Sequence, residues 1–197
     1  MKRLFWLTWL VLVVMLAACG PSEPVIEKAA ADMNLTAAEV GETFRQERED
    51  DLEAIQVLLV VDEPGSVKDA SLRAFVDGAE DAGGTQVTAA VLRFDSTGSA
   101  EAGLNDILKG FQGALGEEPA ALAQSLEEVE ETSSGERFFG KAEIPEQEAR
   151  LYLYLFRKRN VVGLIMVAGP AETLEKATII DLHEKMDERI PLPVAAP

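Results

Sequence analysis

The chain has 197 residues, of which 35 are acidic and 18 are lysine or arginine, and its formal charge at pH 7 is −17. An electrostatic field of this sign repels nucleic acid and favours cationic partners or divalent ions, so we exclude a nucleic-acid-binding function. Cys19 is the only cysteine, which excludes a disulfide within the chain.

The N-terminus has the zones of a secretory signal. Basic Lys2 and Arg3 precede an apolar run over residues 4–15, and small residues follow. The alternative is an uncleaved membrane anchor, but a spanning helix needs about 20 apolar residues and this run is shorter. The pattern therefore predicts a leader that is removed.

Leu-Ala-Ala stands immediately before Cys19. This order resembles the bacterial lipobox, and the resemblance implies a lipoprotein signal peptide over residues 1–18 and acylation of the Cys19 thiol. The protein would then be lipid-anchored on the extracytoplasmic side of a bacterial membrane. Gly20 is not the aspartate that retains lipoproteins on the inner membrane, so the resemblance implies the outer membrane if the host has two.

Removal of the leader changes the composition of the remaining chain. Loss of Lys2 and Arg3 takes the formal charge from −17 to −19, and loss of Trp6 and Trp9 leaves no tryptophan. Residues 19–34 are rich in Pro, Ser, Glu and Ala with little periodicity, which predicts a flexible tether from the lipidated cysteine. Residues 35–193 are then expected to form a single domain.

The first ordered element is predicted at Thr36, because Thr36 and Glu39 have the spacing of a capping box. Residues 47–51, Glu-Arg-Glu-Asp-Asp, are interpreted as a solvated helix face or loop. A calcium site is the alternative, but the run lacks the ligand spacing and the glycine of a calcium loop. Residues 52–61 are aliphatic and fit either a strand or a helix.

Two strands are predicted over residues 71–77 and 85–94, joined as a hairpin by a turn with Gly83 and Gly84. Apolar residues then recur at helical spacing from Ala100 to Leu115, which predicts an amphipathic helix. A second helix is predicted from Pro119 into the glutamates of residues 127–131. Those glutamates are interpreted as an exposed helix end or edge strand, with a metal site as the alternative.

The last third of the chain predicts a further strand over residues 136–142 and a hairpin of two strands, 151–156 and 161–168. In the first hairpin strand aliphatic and aromatic residues alternate. A polar turn, Arg-Lys-Arg-Asn at residues 157–160, joins the two strands. A final helix is predicted from about residue 172 to Ile190, where prolines end it.

This order of elements resembles small bacterial lipoproteins of the PsbP-like α-β-α sandwich class, over about residues 70–190. The resemblance implies an α+β fold with an antiparallel sheet and helices packed on its faces, and it carries over no functional residue. It rests on the element order and on the phrases Leu92-Arg93-Phe94-Asp95, Leu153-Tyr154-Leu155-Phe156-Arg157 and Asn160-Val161-Val162.

One row of side chains is a candidate binding surface: Tyr152, Tyr154 and Phe156, on one side of the predicted strand. Either a helix covers this row, or the row lines a groove for a protein partner or small ligand. The basic turn at residues 157–159 is interpreted as solvated, with contact to an acidic partner or a lipid headgroup as the alternative.

The sequence contains no reactive constellation. His183 is the only histidine and is interpreted as a packed residue of the final helix. There is no nucleophile elbow, zinc spacing or phosphate loop, so we predict no catalytic residue, no metal ligand and no cofactor. The expected function is a non-catalytic binding or accessory role in the cell envelope. The alternatives are a hydrolase with an acidic cleft and a calcium-responsive module.

Overall fold

The computed structural model describes residues 24–51, 66–77, 84–114, 127–128, 137–144 and 148–192. Several features of the sequence lie outside the described residues: Cys19, the apolar run at 52–61, the predicted turn before residue 84 and most of the helix predicted from Pro119. The described chain forms helices α1 Ala30–Met33, α2 Ala37–Val40, α3 Thr97–Ala114 and α4 Lys176–Arg189, and strands β1 Phe44–Asp51, β2 Val67–Asp77, β3 Gln86–Phe94, β4 Glu127–Glu128, β5 Arg137–Ile144, β6 Ala149–Lys158 and β7 Val161–Pro170.

The described strands form one antiparallel sheet in the order β1-β2-β3-β7-β6-β5-β4. Both predicted hairpins are present, because β2 pairs with β3 and β6 pairs with β7. The second hairpin lies beside the first, since β7 pairs with β3 along its length. The prediction of an α+β fold with an antiparallel sheet is therefore confirmed, and the closer likeness to the PsbP-like class stays a prediction.

Helices cover both faces of the sheet, as the alternation of side chains requires. On one face the segment with α1 and helix α4 bury a cluster that includes Phe75, Tyr154 and Ile165. On the other face α3 buries a second cluster through Ala100, Leu104 and Ile107, as its helical spacing predicts. Successive residues of a strand point to opposite faces, so the aromatic and aliphatic rows of β6 enter different clusters.

The domain begins earlier than the sequence suggests. The predicted tether over residues 19–34 is wrong for residues 24–34, which lie across one face of the sheet. Ile26 is 3% exposed, and Ala30 and Met33 are fully buried. The Asn34 side chain donates to the carbonyl oxygens of Ser71 and Ala89, both at 3.1 Å. We call residues 24–35 the N-terminal strap.

The capping box is present, but the helix that it starts is a single turn. The Glu39 carboxylate accepts hydrogen bonds from the Thr36 backbone N–H at 2.8 Å and from the Thr36 hydroxyl at 2.7 Å. The short helix α1 precedes it. The prediction that ordered structure starts at Thr36 is therefore wrong.

The acidic run at residues 47–51 is a strand, so its interpretation as a helix face or loop is wrong. It belongs to β1, which pairs with β2 on one side at the end of the sheet order. Charged residues suit such a strand because they oppose pairing with a further chain. Glu49 lies opposite Arg73 in the register and accepts hydrogen bonds from its Nη2 at 2.8 Å and its Nε at 3.0 Å.

Candidate functional site

The aromatic row of β6 is buried, which corrects its interpretation as a binding surface. Tyr152, Tyr154 and Phe156 are 5%, 6% and 1% exposed and belong to the cluster beneath α4. Of the two arrangements predicted for this row, the one in which a helix covers it is observed. The alternation that predicted the strand does not reveal which row a helix will cover, because both rows are apolar.

His183 on α4 packs directly on this row. Its ring stacks on Tyr154 with centroids 4.1 Å apart and meets Phe156 edge-on at 4.7 Å. The pKa of His183 is lowered to about 4, chiefly by burial and also by the positive charges of Arg137 and Lys158, against the opposing effect of Asp187. Its Nε2 has no hydrogen-bond partner among the described residues. His183 is thus a neutral packed residue, 4% exposed and closed to a substrate.

Asn160 joins three segments at one end of the sheet. Its Oδ1 accepts the Ile26 backbone N–H at 2.6 Å, and its Nδ2 donates to the Ile26 carbonyl at 3.1 Å. The same Nδ2 donates to the Phe94 carbonyl at 2.8 Å, and the Asn160 carbonyl accepts the Phe94 N–H at 2.8 Å. Asn160 therefore ties the N-terminal strap to the ends of β3 and of the β6–β7 hairpin.

The turn at residues 157–160 is only partly solvated, which corrects its interpretation as a polar turn open to water. Lys158 and Asn160 are buried, whereas Arg157 and Arg159 are half-buried. The Lys158 ammonium donates to the carbonyl oxygen of Asp187 at 2.8 Å and lies 3.1 Å from its carboxylate. These partners could not be predicted from the sequence, because they lie on α4 and on the strap.

A pocket opens where the end of β1 faces α1. It has a volume of about 480 Å³ and is lined by Ala31, Glu49, Asp50, Asp51, Ala70 and Ser71. The register places Glu49 and Asp51 opposite Arg73 and Ser71, whereas Asp50 lies opposite Leu72. Because side chains alternate, Glu49 and Asp51 point to the face of the strap and Asp50 to the other face.

The electrostatics of this pocket suit charge recognition better than acid catalysis. Hydrogen bonds from Arg73 are the main reason that the pKa of Glu49 lies below its ordinary value. A general acid needs a carboxyl whose pKa is raised, so the lowered pKa of Glu49 is opposite to that requirement. Asp50 forms an ion pair with Arg48. Glu49 is therefore ionised at neutral pH and paired with Arg73.

Within the ranges that the structure describes, no three His, Cys, Asp or Glu side chains converge where they could hold a metal ion. The alternating directions of Glu49 and Asp50 account for this at β1. None of the described helices combines the length and the apolar content that a membrane crossing requires.

The fold has a counterpart among solved structures. The chain is similar to the extracellular domain of PknH from Mycobacterium tuberculosis, with a TM-score of 0.57 and 12% sequence identity over 85% of this chain and 98% of that chain. At this identity the likeness concerns the fold. A scan against protein-family models and a search of curated proteins give no match.

Proposed function

We propose that this chain is a lipoprotein, anchored through acyl groups on Cys19 to the extracytoplasmic side of a bacterial membrane, the outer membrane if the host has two. Its domain has a non-catalytic binding or accessory role in the cell envelope. The observation that carries the anchor is Leu-Ala-Ala-Cys at the end of an apolar leader, five residues before the described fold begins at Pro24. The fold likeness to an extracellular domain supports this location.

The anchor is tested by intact-mass analysis of the protein purified from its native membranes. We expect a chain that begins at Cys19 and carries the added mass of diacylglycerol, often with a further N-acyl chain. The variant Cys19→Ser should keep its leader or leave the membrane fraction. An unmodified Cys19 thiol, or recovery of the native chain from the cytosol, would refute the anchor.

The binding role is assigned to the pocket between α1 and β1. Glu49 and Asp51 face the same side of the sheet, and the pocket is large enough for a cationic side chain or polyamine segment. We therefore assign to this site a cationic ligand that approaches Asp51, beside the Glu49 carboxylate that Arg73 holds in place. Ser71 contributes a hydroxyl oxygen that already accepts a hydrogen bond from Asn34 at 3.1 Å, so the floor of the pocket is fixed.

The binding role is tested by calorimetric titration of spermine into the mature protein at low salt. The variant Glu49→Gln with Asp51→Asn should weaken binding by about tenfold, equivalent to about 1.4 kcal/mol. The matched control, Glu172→Gln with Glu184→Gln, removes the same charge from exposed positions elsewhere. An equal loss in both variants would show attraction to net charge alone and would refute a site at the pocket.

A further inference from the structure

The N-terminal strap enters the domain at a defined place. Both backbone polar groups of Ile26 bond to the Asn160 side chain, in the two-residue connection between β6 and β7. Two residues later, the Lys28 ammonium donates to the Arg189 carbonyl at the end of α4 at 2.8 Å. The chain that leads back from Ile26 to Cys19 therefore leaves the domain beside the β6–β7 turn. We call this end of the sheet the exit end.

The chain between Cys19 and the first described residue is short. Pro24 is the fifth residue after Cys19, and five residues span at most about 18 Å when fully extended. Strand β7, with 10 residues, is about 33 Å long. A lipid on Cys19 would therefore hold the exit end near the bilayer, whereas the tether length alone does not hold the other end of β7 there.

The exit end differs chemically from the rest of this acidic protein. The cations of the β6–β7 turn and Lys28 of the strap lie there, with the exposed acids Glu27 and Asp95 nearby. The large apolar side chains that are exposed in the described residues are Val25, at 37%, Ile180, at 36%, and Leu192, at 58%. Val25 precedes Ile26, and Leu192 follows α4 just past Arg189, so two of the three flank the exit end. Cations beside exposed apolar side chains are the chemistry of a surface that meets the headgroup region of a bilayer.

We infer that the exit end, with Arg157, Arg159, Val25 and Leu192, is a membrane-docking surface for a bilayer that contains anionic lipid. The inference rests on the lipid anchor proposed above and adds an orientation to it. The net charge of the mature chain repels such a bilayer, so the domain approaches with its basic end, and the acidic pocket of β1 stays accessible to a ligand from the aqueous side. Lys158 holds the turn against α4, because its ammonium binds Asp187.

The orientation is tested with single tryptophans, which the mature chain lacks. Leu192→Trp places a reporter at the exit end, and Thr173→Trp places one beyond the far end of β7. The mature polypeptide is coupled at Cys19 to a maleimide phospholipid, so the result does not depend on lipidation in the cell. Vesicles of phosphatidylcholine, with or without phosphatidylglycerol, contain brominated lipid that quenches nearby tryptophan fluorescence.

We expect strong quenching at residue 192 in vesicles with phosphatidylglycerol, little quenching at residue 173, and weak quenching at both positions in phosphatidylcholine alone. Arg157→Glu with Arg159→Glu should reduce quenching at residue 192 to its level in phosphatidylcholine. The control Lys109→Glu with Lys176→Glu makes the same change of charge at exposed positions and should leave quenching unchanged.

Equal quenching at residues 192 and 173 in vesicles with phosphatidylglycerol would overturn the orientation, as would quenching at residue 192 that is insensitive to phosphatidylglycerol or to reversal of Arg157 and Arg159. An exit end that binds an acidic protein instead would give the same quenching in both kinds of vesicle, which also overturns the inference. Failure of the lipid anchor itself appears separately, as an unmodified Cys19 in the native protein.

Discussion

The buried imidazole of His183 makes the stability of the domain depend on pH in a window that few other groups affect. Its ring packs between α4 and the aromatic row of β6, and its pKa falls from 6.5 to about 4. In the unfolded chain the imidazole regains an ordinary pKa. Between these two values the unfolded state binds a proton that the folded state does not, so stability falls as pH falls.

The magnitude follows from the two pKa values. Linkage gives a loss of about 1 kcal/mol between pH 7 and about pH 5.5, growing to about 3 kcal/mol by about pH 4. Several carboxylates have pKa values below their ordinary range, among them Glu39, Glu49 and Glu143. The stability that these lowered pKa values provide is also lost on acidification, but only as the pH approaches the ordinary pKa of a carboxyl group. The interval from pH 7 to about pH 5.5 therefore isolates His183.

The assay is urea denaturation of the mature protein at several pH values, followed by circular dichroism. The variant His183→Phe keeps an aromatic ring against Tyr154, and it removes an Nε2 that has no partner among the described residues. We expect its unfolding free energy to be flat between pH 7 and about pH 5.5, where the parent chain loses about 1 kcal/mol. A flat profile in the parent chain, or an equal slope in both, would refute the reasoning.

Two further changes test the packing of the sheet. Gly163→Ala should lower the free energy of unfolding in urea by about 1–3 kcal/mol, because the new Cβ would lie 2.3 Å from Cζ of Phe156. The control Gly98→Ala, whose new Cβ would have no heavy atom within 4 Å, should leave the free energy of unfolding unchanged. Equal values for the two variants would contradict this contact. Asn160→Ala should cost about 3 kcal/mol, because three buried backbone groups lose their partner. It should also speed hydrogen exchange of the Ile26 amide, and unchanged exchange there would show that other contacts hold the strap.

The sequence predicts those parts of the fold in which the spacing of apolar residues matches the pattern of buried positions. The alternation from Leu151 to Phe156 fixes a strand, and the spacing from Ala100 onward fixes α3, because both patterns follow from which side chains meet the core. The prediction for the acidic run at 47–51 is wrong for a related reason. An edge strand with few buried side chains has no apolar period, so its secondary structure depends on backbone pairing with β2.

The candidate site was harder to predict because its parts are distant in sequence. The pocket joins Ala31 of α1 to the acidic end of β1 and to Ser71 of β2. The acidic run is evident in the sequence. The opposite side of the pocket could not be predicted, because residues 24–34 have the composition of a linker. The burial of this segment could have been predicted from three apolar residues that a solvated tether does not require, Ile26, Met33 and Leu35.

The boundary of the folded unit provides a last test, because the sequence places it at residue 35 and the structure places it at or before residue 24. A chain of residues 35–197 lacks Ile26 and Met33, which are both buried, and Asn34, whose amide donates to Ser71 and Ala89. Burial of two large apolar side chains contributes about 1.5–3 kcal/mol each, so their loss removes about 3–6 kcal/mol, a large part of the stability of a domain of this size, about 5–15 kcal/mol. We expect the chain of residues 24–197 to unfold cooperatively in urea like the mature protein. The chain from residue 35 should unfold at much lower urea or lack a cooperative transition, because the strap completes the core beneath α4. Equal unfolding midpoints for the two chains would mean that the strap only rests on a finished domain, and the short link between fold and anchor would then lose its structural basis.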